Sequence, residues 1–176
     1  MTPDPHIYIH THSLFLSFTH SHIQIAENVL CGIERNDTFS VLCDLIESNN
    51  FNLTDDWSNK NINWTVFAPT NDAFDRLDDT LDGRLSDVPE DLLEQILQFH
   101  VVKHEKLLWK DLPCKAGENL ITMSNGKNVR IKCKDGSPYG IKGKWNNVTA
   151  NFTKVDFTVC NGVIHAIDDV LFFNEL

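Results

Sequence analysis

The stretch TVFAPTNDAF, residues 65–74, compresses a strand, a turn and a helix into one short run. With Asn63 and Trp64 in front of it, the first part reads NWTVFAP. It is rich in β-branched and aromatic residues, as a buried strand is. Pro69 ends the strand. Thr70 then stands at the N-cap position of a helix. Asp72 falls in the first helical turn, where the helix dipole favours negative charge, and Ala73, Phe74 and Leu77 mark the inward face. The Thr70 side chain is expected to cap the helix and Asp72 to bond nearby backbone. Such a corner either seats a ligand or specifies the fold.

Working outward, IAENVLCGIER, residues 25–35, has the spacing of a short helix. NDTFSVLCDLIESNNF, residues 36–51, predicts a second helix, capped by Asn36 or Asp37, with Phe39, Leu42, Cys43 and Ile46 on its buried stripe. Downstream, Pro89 is placed for a helix start, with Glu90 and Asp91 near the positive end. Leu92, Leu93, Ile96 and Leu97 form that helix's apolar face, and FHVV, residues 99–102, reads as a strand-like exit. The second half changes period. DLPC, NLITM, NVRIKC, YGIKG, KVDFTV, GVIHAI and VLFF read as short strands separated by turns, among them Asn125-Gly126 and Asp135-Gly136. Helices followed by an antiparallel meander predict an α+β fold.

The chain has 176 residues, 41% of them hydrophobic, enough for one domain with a proper core. Its formal net charge of -10 sets an acidic surface against phosphate backbones, so no nucleic-acid partner is expected. No apolar run approaches the roughly 20 residues that span a bilayer. Five of the eight histidines, at 6, 10, 12, 20 and 22, fall in the first 24 residues, which contain neither Lys nor Arg. That segment lacks the basic region of a secretory signal and is expected to be a histidine-rich, disordered extension ahead of one domain over 25–176. A metal-binding tract is the sharper alternative, because His10 and His12, or His20 and His22, would share a face in a strand. Five Asn-x-Ser/Thr sequons, at Asn36, Asn52, Asn63, Asn147 and Asn151, nevertheless point to a secreted glycoprotein. Asn36 and Asn147, in expected turns, are the best acceptors. Asn63, against a core strand, is the weakest.

The chain shows no glycine-rich phosphate loop, no nucleophile elbow and no HExxH. The acidic doublets 55–56, 78–79 and 168–169 lack the alternating oxygens of a calcium loop. Cys160 and His165 could form a nucleophilic pair, but a disulfide explains Cys160 better. No enzyme, catalytic residue, cofactor or metal centre is therefore expected. His100 and His165 interrupt apolar segments and read as packed histidines whose ring nitrogens bond backbone. Cysteines 31, 43, 114, 133 and 160 contain no CxxC. Cys114 and Cys133 flank the Asn125-Gly126 hairpin and could pair across it if a bulge absorbs the asymmetry. Cys43 could join Cys160 and tie the two layers, leaving Cys31 over. Alternatively Cys31 takes Cys160, and Cys43 stays a buried thiol.

Three segments together resemble a known family. TVFAPTNDAF is similar to the first box of fasciclin-like (FAS1) adhesion domains, and NGVIHAIDDVLF, residues 161–172, to the second. LLEQILQFHVV, residues 92–102, resembles the segment that carries the family's Tyr-His motif. The order and distances match, and the resemblance covers residues 25–173. Thr70, Asn71 and Asp72 match the first box. Asn161, Gly162, His165, Ile167 and Asp168 match the second, with Asn161-Gly162 making a tight turn and Asp168 accepting bonds from backbone or His165. His100 takes the family's histidine, but Phe99 replaces the usual tyrosine, which weakens any transfer of the integrin binding known for some animal members. The resemblance implies a wedge-like antiparallel β-sandwich with a layer of short helices. It implies an extracellular, non-enzymatic adhesion or matrix and cell-wall module. The partner would be a cell-surface protein or a matrix or polysaccharide component. A small-molecule, lipid or divalent-metal binding protein is the alternative. The later cysteines and the segment CKDGSPYGIKGKWNN, residues 133–147, resemble algal or other microbial secreted members.

Overall fold

The computed structural model describes residues 38–48, 61–82, 87–115, 117–159 and 161–175. The stretch 1–24, the helix expected over 25–35, Asn36, Asn52, Cys31 and Cys160 lie outside those residues. Helix α1 (Ser40–Ser48) buries Leu42, Cys43 and Ile46, and Phe39 just ahead of it is buried too, as their spacing predicts. Strand β1 (Trp64–Pro69) is buried at every position, and α2 (Asn71–Thr80) buries Ala73, Phe74 and Leu77. Helix α3 (Glu90–Gln98) starts after Pro89, which is its N-cap, and carries Glu90 and Asp91 in its first turn.

Strand β2 (Val101–Lys103) is shorter than the expected FHVV exit. The Phe99 N–H still bonds Gln95 O, and the His100 N–H bonds Leu97 O. Helical carbonyls therefore hold Phe99 and His100 in the last turn of α3, and the strand starts with the β-branched pair behind them. DLPC is not a strand either: Trp109–Asp111 is a short 3-10 turn. VLFF also lies outside any strand, because side-chain atoms take the donors a ladder would use. Val170 N–H bonds Asp169 Oδ1, Leu171 N–H bonds His100 Nε2, and Phe172 N–H bonds Asn146 Oδ1.

The remaining strands are β3 (Leu120–Thr122), β4 (Asn128–Lys134), β5 (Ser137–Lys142), β6 (Ala150–Val159) and β7 (Gly162–Ile167). Their turns follow the glycine signals. Gly126 takes φ +76 and donates to Met123 O, while Asp135 and Gly136 both adopt left-handed φ, as a two-residue hairpin turn requires. The sheet order is β2-β1-β7-β6-β5-β4-β3. All neighbours are antiparallel except β1 and β7, which run parallel from Trp64 opposite Gly162 to Pro69 opposite Ile167. Ser124 N–H, just past β3, bonds Val101 O in β2, so the two ends of the sheet meet in a curled wedge.

Two apolar clusters lie on the two faces of the central strands. Trp64, Val66 and Ala68 of β1, with Ile164 and Ala166 of β7, face the helices and pack with Leu42, Phe74 and Leu97. Phe67 and Ile167 point the other way, against Phe99, Ile131, Ile141 and Leu171. Occupation of both faces is why β1 and β7 are apolar throughout, apart from the buried Thr65 and His165. The α+β expectation holds.

Cys114 and Cys133 form a disulfide, 19 residues apart in sequence. The β4–β5 register shifts at Lys132/Cys133. Closing a loop of that length contributes about 3 kcal/mol. Cys43 is fully buried and disulfide-bonded, which rules out the reading of Cys43 as a free thiol. The other half of that bond lies outside the described residues.

Candidate functional site

The corner after β1 is locked, but by a different residue from the one expected. Thr70 occupies the N-cap of α2, yet its hydroxyl makes no capping bond. Its backbone serves instead: Thr70 N–H bonds Ile167 O, and its carbonyl accepts from Ala73 N–H. Asn71 supplies the side-chain lock. Its Oδ1 accepts from Val41 N–H at 3.1 Å, its Nδ2 donates to Ser40 Oγ at 2.9 Å, and its own N–H bonds Thr38 O. Asn71 therefore caps one free backbone donor of α1, Val41 N–H, from 30 residues away. Asp72 stays exposed in the first turn of α2, where it complements the dipole. At the head of the same box, the buried Thr65 hydroxyl donates to Glu105 O and accepts from Leu107 N–H.

His165 projects from β7 into the interior and is fully buried. Leu107 O lies 2.8 Å from Nε2 and can only accept, so Nε2 carries the proton. Nδ1 then accepts from Asp156 N–H at 3.3 Å. The ring stacks on Phe67 and meets Phe152 edge-on. Burial pushes its pKa below the usual histidine value, against the opposing pull of Leu107 O and the Asp156 carboxylate. Asp156 itself takes φ +60 where the β6–β7 register shifts, and its carboxylate accepts from Trp109 N–H. The bulge aims a backbone donor at the ring at the cost of a left-handed residue.

His100 has the opposite tautomer. Ile96 O, 2.7 Å from Nδ1, requires a proton there, and Leu171 N–H donates to Nε2 at 2.9 Å. Burial pushes its pKa down to about 4, although the bond to Ile96 O opposes the shift. Phe99 is fully buried and packs edge-on against Phe173. Neither His100 nor His165 keeps a ring nitrogen free for a proton transfer or a metal.

In the second box, Asn161 is buried, and its carbonyl accepts from Trp64 N–H. Gly162 is required by close approach, since a Cβ there would lie 2.6 Å from Trp64 O. Asp168 does not bond His165. Its carboxylate takes Asn151 instead, through the backbone N–H at 2.6 Å and the side-chain amide at 2.9 Å. Arg76 of α2 donates to Asp168 O. Asp169 is half-buried, and burial raises its pKa, opposed by Val170 N–H and the Arg76 charge.

Sequence reasoning missed an open cleft of about 800 Å³ between α2, the 145–151 segment and the tail 168–175. Trp145 lines it and is 46% exposed. A tryptophan set among Gly, Lys and Asn, with no apolar partner at strand spacing, is the signal that could have marked it. The tail's carboxylates and Arg76 supply the polar wall. A separate apolar gap beside Phe74, Ile96 and Val170 encloses only about 10 Å³, the scale of a single water. Among the described residues, no group of three or more His, Cys, Asp or Glu is placed to hold a metal ion. No described helix is long and apolar enough to cross a membrane. Asn147, Asn151 and Asn63 are all exposed, so the low ranking of Asn63 does not follow from burial.

A family model described as the Fasciclin domain matches residues 37–173. Protein sll1483 of Synechocystis is 37% identical over 109 residues, covering 61% of this chain and 54% of that protein. Transforming growth factor-beta-induced protein ig-h3 of Sus scrofa is 30% identical over 146 residues, covering 81% of this chain and 19% of that protein. The chain thus spans about half or less of these relatives. Among solved structures, a FAS1 domain pair from the insect cell adhesion molecule Fasciclin I superposes with a TM-score of 0.65 at 22% identity. That match covers 82% of this chain and 50% of the other, and it shows a shared fold.

Proposed function

The chain belongs to the fasciclin domain family, and we propose that it works outside the cell as a non-enzymatic adhesion or matrix module. Its partner in this reading is a cell-surface protein or a matrix or cell-wall polysaccharide. One observation carries the reading: the most reactive side chains of the matched boxes are committed to the fold. Both nitrogens of His100 and of His165 bond backbone, and both rings are buried. A domain that uses its histidines this way has a scaffold in its boxes and its contacts on its outer surface. The solved relative named a cell adhesion molecule supports the same role. The Cys114–Cys133 bond suits an oxidising compartment, and three exposed sequons suit a secreted chain. Phe99 and His100 are too buried to touch a partner, so attachment uses other residues.

Antibody labelling of intact and permeabilised source cells, with fractionation of wall and medium, tests the location. Immobilised full-length chain tests attachment of those cells or their wall polysaccharides. Labelling only after permeabilisation would overturn the extracellular reading. Surface labelling without attachment would overturn the adhesive one.

A further inference from the structure

We propose that Asn147 carries an N-linked glycan whose first sugars lie in the cleft and pack on the Trp145 ring. The proposal rests on the extracellular reading, since the chain must pass through a glycosylating compartment. Residues 145–149 read Trp-Asn-Asn-Val-Thr, so the ring stands two positions before the acceptor and the sequon threonine two after it. Asn146 fixes the geometry between them. It is buried, with Nδ2 donating to Val170 O at 2.6 Å and Oδ1 accepting from Phe172 N–H at 2.8 Å. Anchored there, the loop presents its two neighbours, Trp145 and Asn147, to the same cleft. Asn147 is exposed, and its backbone carbonyl is held by Lys142 Nζ at 3.1 Å.

Trp145 is a large aromatic surface with little cover. Lys144 Nζ sits 5.6 Å from its centroid, yet 46% of the residue remains exposed. The C–H face of a pyranose suits such a ring, combining apolar burial with attraction to the π-face. Thr80, Asp169 and Glu175 on the other walls offer partners to the sugar hydroxyls. The neighbouring sequon asparagine, Asn151, lines the same cleft, but its amide is already committed. Asn151 gives its side-chain amide and its backbone N–H to Asp168, so a glycan there disturbs a bond that already holds β6 to the tail.

The full chain, secreted from a eukaryotic host behind a supplied leader, tests this whatever its location in the source cell. Glycopeptide mapping should find Asn147 occupied. Enzymatic trimming of the glycan should lower the melting midpoint by about 2–4 °C. Trp145→Ala should abolish that trimming shift while leaving Asn147 occupied, Trp145→Phe should keep part of it, and Asn147→Gln should remove it. An unoccupied Asn147, or an equal trimming shift in Trp145→Ala, would overturn the proposal. So would saturable binding of free chitobiose to sugar-free chain that Trp145→Ala abolishes, because the cleft would then belong to an external saccharide. Intracellular location of the native protein would defeat the extracellular reading without changing any of these measurements.

Discussion

His100 should make this domain acid-sensitive in a window set by its own burial. Its ring bridges the last turn of α3 to the tail, through Ile96 O and Leu171 N–H. A proton on Nε2 would face an N–H donor 2.9 Å away, so protonation must break the tie. Burial lowers the pKa from 6.5 to about 4 in the folded chain. Between those values the unfolded chain holds a proton that the folded chain refuses, so stability rises with pH there. The contribution is complete above 6.5 and lost as pH falls to about 4. At about 1.4 kcal/mol per pH unit, that window is worth roughly 3 kcal/mol. His165, also lowered by burial, acts in the same direction, whereas Asp169, raised by burial, acts in the opposite one. A comparison with His100→Gln cancels both. Urea unfolding followed by tryptophan fluorescence, between about pH 4 and pH 8, measures the difference. The variant should be less stable near neutrality by about 1–3 kcal/mol, because Leu171 N–H loses its acceptor and Ile96 O keeps only Phe99 N–H. The gap should then close or reverse toward acid. Parallel stability curves for the two proteins would refute the assignment of the acid sensitivity to this ring.

Asn71→Ala should cost about 1–2 kcal/mol in chemical unfolding, since it uncaps α1, whereas Thr70→Ala should cost about 0.5 kcal/mol or less because its hydroxyl caps nothing. Equal losses would show that the Thr70 hydroxyl caps α2 after all. Gly143→Ala places a Cβ 2.3 Å from Phe172 O and 2.6 Å from Asn146 Oδ1, and the forced shift should lower stability by about 1–3 kcal/mol. An unchanged melting temperature would show that the tail moves aside freely.

What the sequence disclosed was local. Period and punctuation placed β1, α2 and α3, and the glycines at 126 and 136 marked two hairpins. The parallel pairing of β1 with β7 left no such mark, because it joins Trp64 to Gly162 without a turn between them. Asn71 was hidden for a related reason: the helix it caps lies 30 residues upstream. The 170–173 run was misread because apolarity reports burial and not the destination of the backbone donors. The cleft needed three separate segments to meet before any residue in it stood out.

Among the described residues, four of the five buried polar side chains share one geometry. Thr65, His100, His165 and Asn146 each hold a backbone group that secondary structure leaves over, in the 105–107 loop or the tail after β7. Hydrogen bonds from a helix or strand cannot reach those segments, and unpaired donors there would cost about 1–3 kcal/mol each. Side chains from distant parts of the fold, as donors or acceptors, solve the problem, with separations of 24 to 71 residues in sequence. A substitution at one of these positions therefore acts first on a loop's position and only then on whatever surface that loop presents. Loss of attachment in such a variant would follow from a displaced surface, even though the substituted side chain never meets the partner. Attachment that returns on cooling, as the fold returns, distinguishes that route from the loss of a true contact.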